Sequence, residues 1–398
     1  MMVPDNKNTD YSLPRGVWAL GFVSLLMDTS SELIHSLLPL FLVSVLGVGA
    51  LSVGIIEGIA EATAAITKIF SGVVSDWIGR RKPLVLLGYG LAALTKPLFP
   101  LASGVGMVMM ARFLDRLGKG IRGAPRDALV ADITPVELRG AAYGLRQAMD
   151  TVGAFAGPLL ALAFMALTAD NFRLVFWVAV IPAVLCVLFI IFGVQEPEHV
   201  QRSKVRRFPI RRVELARLSH RYWWVVGFAG VLTLARFSEA FLLLRAEDVG
   251  LAVTWVPVIL IVMNIVYAAS AYPFGRWFDR GSRSRLAGLG IVFLIVADFI
   301  LALAPGPWVV GLGAVFWGLH MGATQGLLSA LVAHSAPDDL RGTAFGVFNL
   351  VTGLALLAAS VIAGGLWSYV GPDMTFYAGA GFAALALVGL MVGLKMLR

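Results

Sequence analysis

The chain reads as an all-α integral membrane protein, with twelve transmembrane helices in two pseudo-symmetric six-helix bundles. Three observations predict this. Of 398 residues, 59% are hydrophobic and only 14% charged, too little polar surface to cover a chain of this size in water. Pro135-Val136-Glu137-Leu138-Arg139-Gly140-Ala141-Ala142-Tyr143-Gly144 nearly returns as Pro337-Asp338-Asp339-Leu340-Arg341-Gly342-Thr343-Ala344-Phe345-Gly346, an offset of 202. Two further pairs agree: Gly72-x-x-x-Asp76 with Gly275-x-x-x-Asp279 at an offset of 203, and Ser31-Glu32 with Ser238-Glu239 at 207. The third observation is that basic residues segregate to alternate connections, as the positive-inside rule requires of spanning helices.

Runs of about 20 apolar residues are long enough to cross the hydrocarbon core as helices. Twelve are legible, at 17–43, 50–75, 83–103, 105–128, 141–166, 172–194, 222–245, 250–275, 285–304, 307–330, 342–368 and 373–396. Runs such as Trp177 to Gly193 show no two-residue alternation, which argues against a membrane β-barrel. Residues 1–16 form a polar tail with no apolar stretch of the kind a cleavable signal contains. The boundaries are therefore a tail at 1–16, a first bundle at 17–194, a basic linker at 195–221 and a second bundle at 222–398.

Helix 1 carries Asp28, Glu32 and His35. At about 100° per residue they share one face within roughly 60°, spread over about 10 Å of helix. Ionisable groups at membrane depth are expensive and face a cavity or a partner. Carboxylates with an imidazole can bind a proton or a divalent cation such as nickel or cobalt. Helix 2 adds Glu57 and Glu61, one turn apart. In helix 4, Arg112, Arg116, Lys119, Arg122 and Arg126 fall on one stripe of about 120°, shared by Asp115. Across the first-half helices the acids are Asp28, Glu32, Glu57, Glu61, Asp115, Asp127 and Asp150. They face the bases Lys68, Lys96, Arg112, Arg116, Lys119, Arg122, Arg126 and Arg146. This near balance predicts that most are neutralised in buried pairs; the helix 1 trio exceeds what one ion pair needs.

Positive residues cluster at Arg80-Arg81-Lys82, through the 195–221 linker, at Arg276, Arg280, Arg283 and Arg285, and at the C-terminus; the opposite loops hold Arg173 and Arg245. Both termini and the linker are thus expected in the cytoplasm, in an inner membrane. The net charge of +8 is explained by this placement and does not call for nucleic acid. Cys186, inside helix 6, is the one cysteine, so no internal disulfide or cysteine metal cluster forms. The second half is sparser. Helix 7 has Arg236 and Glu239, spaced to reach each other on one helix face, and helix 10 offers His320 and Gln325 among glycines. Tyr222, Trp223, Trp308 and Trp367, near predicted helix ends, read as interfacial anchors.

The chain resembles the major facilitator superfamily over essentially its whole length. Gly72-Val73-Val74-Ser75-Asp76-Trp77-Ile78-Gly79-Arg80-Arg81-Lys82 matches that family's loop between helices 2 and 3, with Trp77 where the family usually has a basic residue. Gly153-Ala154-Phe155-Ala156-Gly157-Pro158 looks like its fifth-helix element, frequent in proton-coupled exporters. The run from Asp115 through Arg116, Lys119, Gly120, Arg122, Pro125, Arg126 and Asp127 to Leu129 is similar to that of a prokaryotic subgroup that includes some nickel-resistance exporters. The resemblance implies the major facilitator fold and a cavity lined by helices 1, 4, 7 and 10. It also implies a conformational latch built from Gly72, Asp76, Gly79, Arg80 and Arg81, with Gly275, Asp279 and Arg280 as the second copy. Glycine at 72 allows close helix approach and at 79 a tight turn.

The expected function is secondary active transport by alternating access, as a proton-coupled antiporter for efflux of a small solute, with no cofactor and a monomer as working unit. Substrate or proton contacts are expected from Asp28, Glu32, His35, Glu57, Glu61, Arg112, Asp115, Arg116, Lys119, Glu239, His320 and Gln325. Three substrate classes stay open: a divalent cation held by Asp28, Glu32 and His35, a lipophilic organic compound, or an anionic metabolite or siderophore on the helix 4 stripe. The absence of a GxxxxGK[ST] motif argues against ATP-driven pumping. A membrane-embedded enzyme or a sensor leaves the two matched halves unexplained.

Overall fold

Apolar runs of this length find no water for their backbone groups, so each satisfies them internally as a helix. The computed structural model describes residues 13–78, 80–135, 138–196, 215, 217–280, 283–337 and 340–393; several helical side chains, including those of Asp76, Gly275, Asp279, Arg280 and Gln325, lie outside the description. Among the described residues the helices form twelve spans. These are α1 (Arg15–His35), α2 (Ala50–Ile78), α3 (Lys82–Thr95), α4 (Val105–Ile133), α5 (Arg139–Leu167) and α6 (Phe172–Gly193), then α7 in two pieces (His220–Leu234 and Ala240–Asp248). They continue with α8 (Pro257–Arg280), α9 (Arg283–Ala302), α10 (Pro307–Ser335), α11 (Arg341–Tyr369) and α12 (Pro372–Val392). Nine spans among the described residues are long and apolar enough to cross a membrane. The other three are α4, with its stripe of charges, α7, with its break, and α10, whose side chains are described only in part.

Three spans depart from the continuous helices expected: α1, α7 and α3, which pauses at Lys96-Pro97 before the short helix Leu98–Leu101. α1 stops at His35 and resumes in the short helix Leu38–Leu40 and the π-helical turn Phe41–Val45. Pro39 has no N–H to offer the carbonyl of His35, which ends the ladder there. α7 is interrupted between Leu234 and Ala240.

The packing repeats in both halves. α1 packs on α5 and α6 as α7 packs on α11 and α12; α2 and α3 flank α4 as α8 and α9 flank α10; and α3 meets α6 as α9 meets α12. The two most extensive contacts between the halves, α2 with α11 and α5 with α8, are images of one another. The α2–α11 crossing is closest near the end of the molecule that carries the α1–α2 connection. A side chain at Gly364 would meet the Ala50 carbonyl at 2.7 Å, and one at Gly54 would overlap the Ser360 carbonyl. At the same end the Leu51 N–H donates to Ser368 Oγ at 3.0 Å, and the Thr254 hydroxyl donates to Asp170. That end is shut. Two of the expected anchors are internal instead. Tyr222 is fully buried, its hydroxyl donating to the Ala344 carbonyl at 2.9 Å, and Trp367 packs on Phe241 and Phe376. Trp308, 93% exposed, fits the anchoring role.

Candidate functional site

A cavity of about 1100 Å3 lies between the halves, from mid-span toward the end that carries the α2–α3, α4–α5 and α8–α9 connections. Its two walls differ in chemistry. The first-half wall presents Asp28, Glu32, His35, Glu57, Glu61, Lys68, Arg116, Lys119, Arg122 and Arg126; the second-half wall presents Phe237, Ile265, Tyr267, Trp317, Phe348 and Leu356. Arg236 and Glu239 are the charged groups on that second wall among the described residues.

The acids of α1 are set in place by α5. A side chain at Gly153 would meet the Leu25 carbonyl at 2.6 Å and Asp28 Cβ at 3.0 Å. One at Gly157 would meet Glu32 Cβ at 2.6 Å and the Leu33 nitrogen at 2.8 Å. The α5 glycines therefore bring the two backbones together beside Asp28 and Glu32, as small residues do between membrane helices. Pro158 lies within the same helix. Gly72 is less demanding, since a side chain there would first meet Ala124 Cβ at 3.4 Å, an ordinary contact.

The charged side chains form three clusters of contacts. In the first, Glu57 binds Arg112 at 2.7 Å and His35 at 3.5 Å, and the other ring nitrogen of His35 faces Glu32 at 3.3 Å. In the second, Arg116 reaches Glu61 at 3.2 Å and Asp115 at 3.9 Å; Asp115 binds Lys96 at 2.8 Å, and Lys96 donates to Ser31 Oγ at 2.9 Å. Helices α1 to α4 are thus joined through charge-assisted contacts, of which Arg112, Asp115 and Lys96 stand behind the cavity wall. Nearer the open end, Arg126 meets Asp127 at 3.2 Å and Asp150 at 3.8 Å, Arg146 meets Asp150 at 2.6 Å, and Arg126 also donates to Ser24 and Tyr89. Arg122 takes a different partner, lying 4.4 Å over the Tyr89 ring. Lys68 and Lys119 are exposed to the cavity and make no ion pair within 4 Å among the described residues.

The metal site expected from Asp28, Glu32 and His35 is not assembled. No group of three His, Cys, Asp or Glu side chains is placed to hold a metal ion among the described residues. Both ring nitrogens of His35 are turned to carboxylates, and Arg112 already neutralises Glu57, so a cation there would sit beside a guanidinium. Asp28 stands a turn away against Gly153.

The expected Arg236–Glu239 pair is also absent, because the break in α7 removes the helical spacing that would bring the two together. The break instead presents Arg236, Phe237, Ser238 and Glu239 to the cavity at mid-span, where discontinuous helices place binding groups in carriers. His320 is fully buried, its Nδ1 2.7 Å from the Gly290 carbonyl, and does not line the cavity. Gln325 lies on α10, with its side chain outside the described residues.

The α2–α3 connection is tied down within the first half. Arg81 donates to Ser75 Oγ at 2.7 Å and meets Asp132 at 3.4 Å, while the backbone N–H groups of Arg81 and Lys82 donate to the Glu196 carboxylate. Arg80 is exposed. Gly79 and the side chains of Asp76, Gly275, Asp279 and Arg280 lie outside the described residues.

Sequence reasoning missed Asp298 on α9. It is fully buried, and neither carboxylate oxygen has a hydrogen-bond partner among the described residues. The signal was available, since Asp298 is the single charged residue in an otherwise apolar run from Leu286 to Ala304. The aromatic lining from Phe237 and Trp317 was missed as well, because in sequence such residues look like any core-facing position.

Comparison with known proteins places this geometry. The model of the Major Facilitator Superfamily matches residues 20–355 and again 237–397. An uncharacterized MFS-type transporter of Methanocaldococcus jannaschii is 32% identical over 388 residues, covering 96% of this chain and 95% of the relative. The multidrug resistance protein MdtH of Salmonella typhi is 26% identical over 389 residues, covering 95% and 91%. Among solved structures, a POT family transporter in complex with a thioalcohol-conjugated peptide superposes with a TM-score of 0.80 at 13% identity, covering 97% of each chain.

Proposed function

The chain belongs to the major facilitator superfamily, a multi-pass membrane transporter and not an enzyme, and from that premise we propose that it exports a small organic solute in exchange for protons. The observation that carries this reading is the pairing of a cavity head that presents Asp28 and the hydrogen-bonded Glu32–His35 pair with an aromatic opposite wall. Asp28 and the Glu32–His35 pair are the proton carriers. They take up protons when the cavity faces the outside and release them inward as substrate competes for the site. The aromatic wall of α7, α8, α10 and α11 takes the apolar part of the solute. The resistance function in the name of the MdtH relative supports efflux of organic compounds.

In this reading residues 17–194 and 222–398 are the two moving bodies, joined by the basic linker, and the chain works as a monomer in the inner membrane. Both termini are cytoplasmic, so the cavity is open inward here. The connections beginning at Gly72 and Gly275 act as latches between conformations. A second reading is supported by Lys68 and Lys119, which face the cavity without carboxylate partners: the transported solute is an organic anion.

The test is thermal stability of the purified protein in detergent against nickel, cobalt, lipophilic cations and anionic siderophores, repeated with Glu32→Gln. A ligand at a hundred times its Kd stabilises by about 2.7 kcal/mol. Stabilisation by an organic compound is expected in both proteins, with pH-gradient-driven transport of that compound lost in Glu32→Gln. Stabilisation by nickel or cobalt alone, vanishing in the variant, overturns this in favour of a metal exporter.

A further inference from the structure

The internal repeat assigns Asp298 a position with a history in the other half. The offset of 202 carries Lys96 onto Asp298 and Asp115 onto Trp317, and the offset of 207 carries Ser31 onto Ser238. In the first half these positions form a closed cluster, Lys96 to Asp115 at 2.8 Å and to Ser31 at 2.9 Å. In the second half the cation and its acid are replaced by one carboxyl and a tryptophan. Asp298 is left with 0% exposure and two unpartnered oxygens.

Its surroundings are apolar and tightly placed. A side chain at Gly379 of α12 would meet Asp298 Oδ2 at 2.7 Å and Phe237 Cε1 at 2.9 Å, which sets the carboxyl beside the Phe237 ring. Phe237 lies in the α7 break and packs on Trp317 and Phe376 at centroid distances of 5.5 and 5.6 Å. Phe237 and Trp317 both line the cavity, so this aromatic layer is what separates Asp298 from it. Charged and titratable groups on the packed elements are turned elsewhere. Arg236 and Glu239 of α7 face the cavity; Arg245 of α7 holds Asp248 and the carbonyls of Leu301, Ala302 and Ala304; and His320 of α10 holds the Gly290 carbonyl. Asp373 and Tyr377 of α12 make no ion pair or hydrogen bond with Asp298.

An ionised carboxylate with no partner in such a place is held only at severe expense, and a buried acid escapes it by keeping its proton. We infer that Asp298 is a second proton site of the carrier: it holds a proton in the conformation described here and releases it when the α7 break rearranges. The O–H bond breaks as Phe237 withdraws and cavity water reaches the carboxyl. The proton leaves on that water, and the carboxylate formed is stabilised by Arg236, one residue from Phe237 and without an ion pair among the described residues. The inference rests on the proton-coupled reading above, but its test needs no substrate, so the two fail separately.

The experiment is infrared spectroscopy of the full-length protein in lipid vesicles at neutral pH, comparing wild type with Asp298→Asn. A C=O stretch of an un-ionised carboxyl, present in wild type and missing in Asp298→Asn, is expected. Gly364→Trp cannot fit between α2 and α11 while that end is shut, and it drives the opposite conformation; Gly58→Trp is a second wedge. In either background the Asp298-dependent band should fall at least twofold. Phe237→Ala, which admits water without a wedge, should do the same. Identical spectra for wild type and Asp298→Asn overturn the inference. So does an Asp298-dependent band that neither a wedge nor Phe237→Ala diminishes.

Discussion

The two halves share one packing plan and differ in what they bury. The first half holds its helices with ion pairs, Glu57 to Arg112, Glu61 to Arg116 and Asp115 to Lys96, while the second half has uncharged residues at the matching positions, Trp317 at that of Asp115 among them, except for Asp298, whose carboxylate has no hydrogen-bond partner among the described residues. The comparison teaches that the duplicated backbone is indifferent to whether its interior is salt-bridged or apolar, provided each choice is complete. A buried pair contributes little over a well-packed apolar substitute, but losing one partner leaves an uncompensated charge. Function then follows the asymmetry: proton chemistry collects where carboxylates and bases are close, and solute packing where rings are.

The comparison can be broken at its strongest point. Arg112→Met takes from Glu57, which is 1% exposed, its nearer counter-charge, leaving His35 at 3.5 Å, and should destabilise the protein by about 3–5 kcal/mol. Adding Glu57→Gln should restore most of that loss in detergent denaturation. If the double variant is no more stable than the single one, the first half does not depend on charge balance. A smaller effect should come from Gly157→Val, which forces α5 off α1 beside Glu32 at a cost of about 1–3 kcal/mol. Gly365→Val, with nothing within 4 Å of the added group, should shift stability by no more than about 0.5 kcal/mol. Equal losses in the two glycine variants would show that helix propensity, not the α1–α5 contact, sets the result. The smallest structural effect belongs to Lys119→Gln, whose charge faces the cavity without a partner. Its melting temperature without ligand should match wild type, while any stabilisation by anionic ligands should drop. Unchanged stabilisation by anions would remove Lys119 from the binding surface.

Much of this was legible in the residues. Apolar runs and repeat offsets mark the spans, because lipid leaves the backbone few alternatives to a helix. The spacing of bases on α4 predicts one stripe from helical geometry alone; Arg116, Lys119, Arg122 and Arg126 line the cavity, and Arg112 stands behind its wall. Which acid meets which base is not legible, because pairing depends on how α2, α3 and α4 cross. The same gap explains the metal trio. Asp28, Glu32 and His35 share a helix face as predicted, yet His35 is drawn to Glu57 of a neighbouring helix. The break in α7 left no proline or glycine at Arg236–Glu239 to announce it, so a continuous helix was the natural expectation. Asp298 was legible as an intramembrane acid and was masked by the apolar run around it.

The stripe on α4 also bears on how the chain is made. On insertion scales an arginine at mid-membrane opposes entry by about 2.5–3.5 kcal/mol, and α4 brings Arg112 and Arg116 in together with Asp115 and Lys119. Such a segment cannot partition into lipid by itself. The partners of its mid-membrane charges Arg112, Arg116 and Asp115, however, precede it in the chain: Glu57 and Glu61 on α2 and Lys96 on α3. When α4 leaves the ribosome, the helices that carry these counter-charges have already been made. The order of synthesis thus serves as a chaperone for the most polar helix of the bundle.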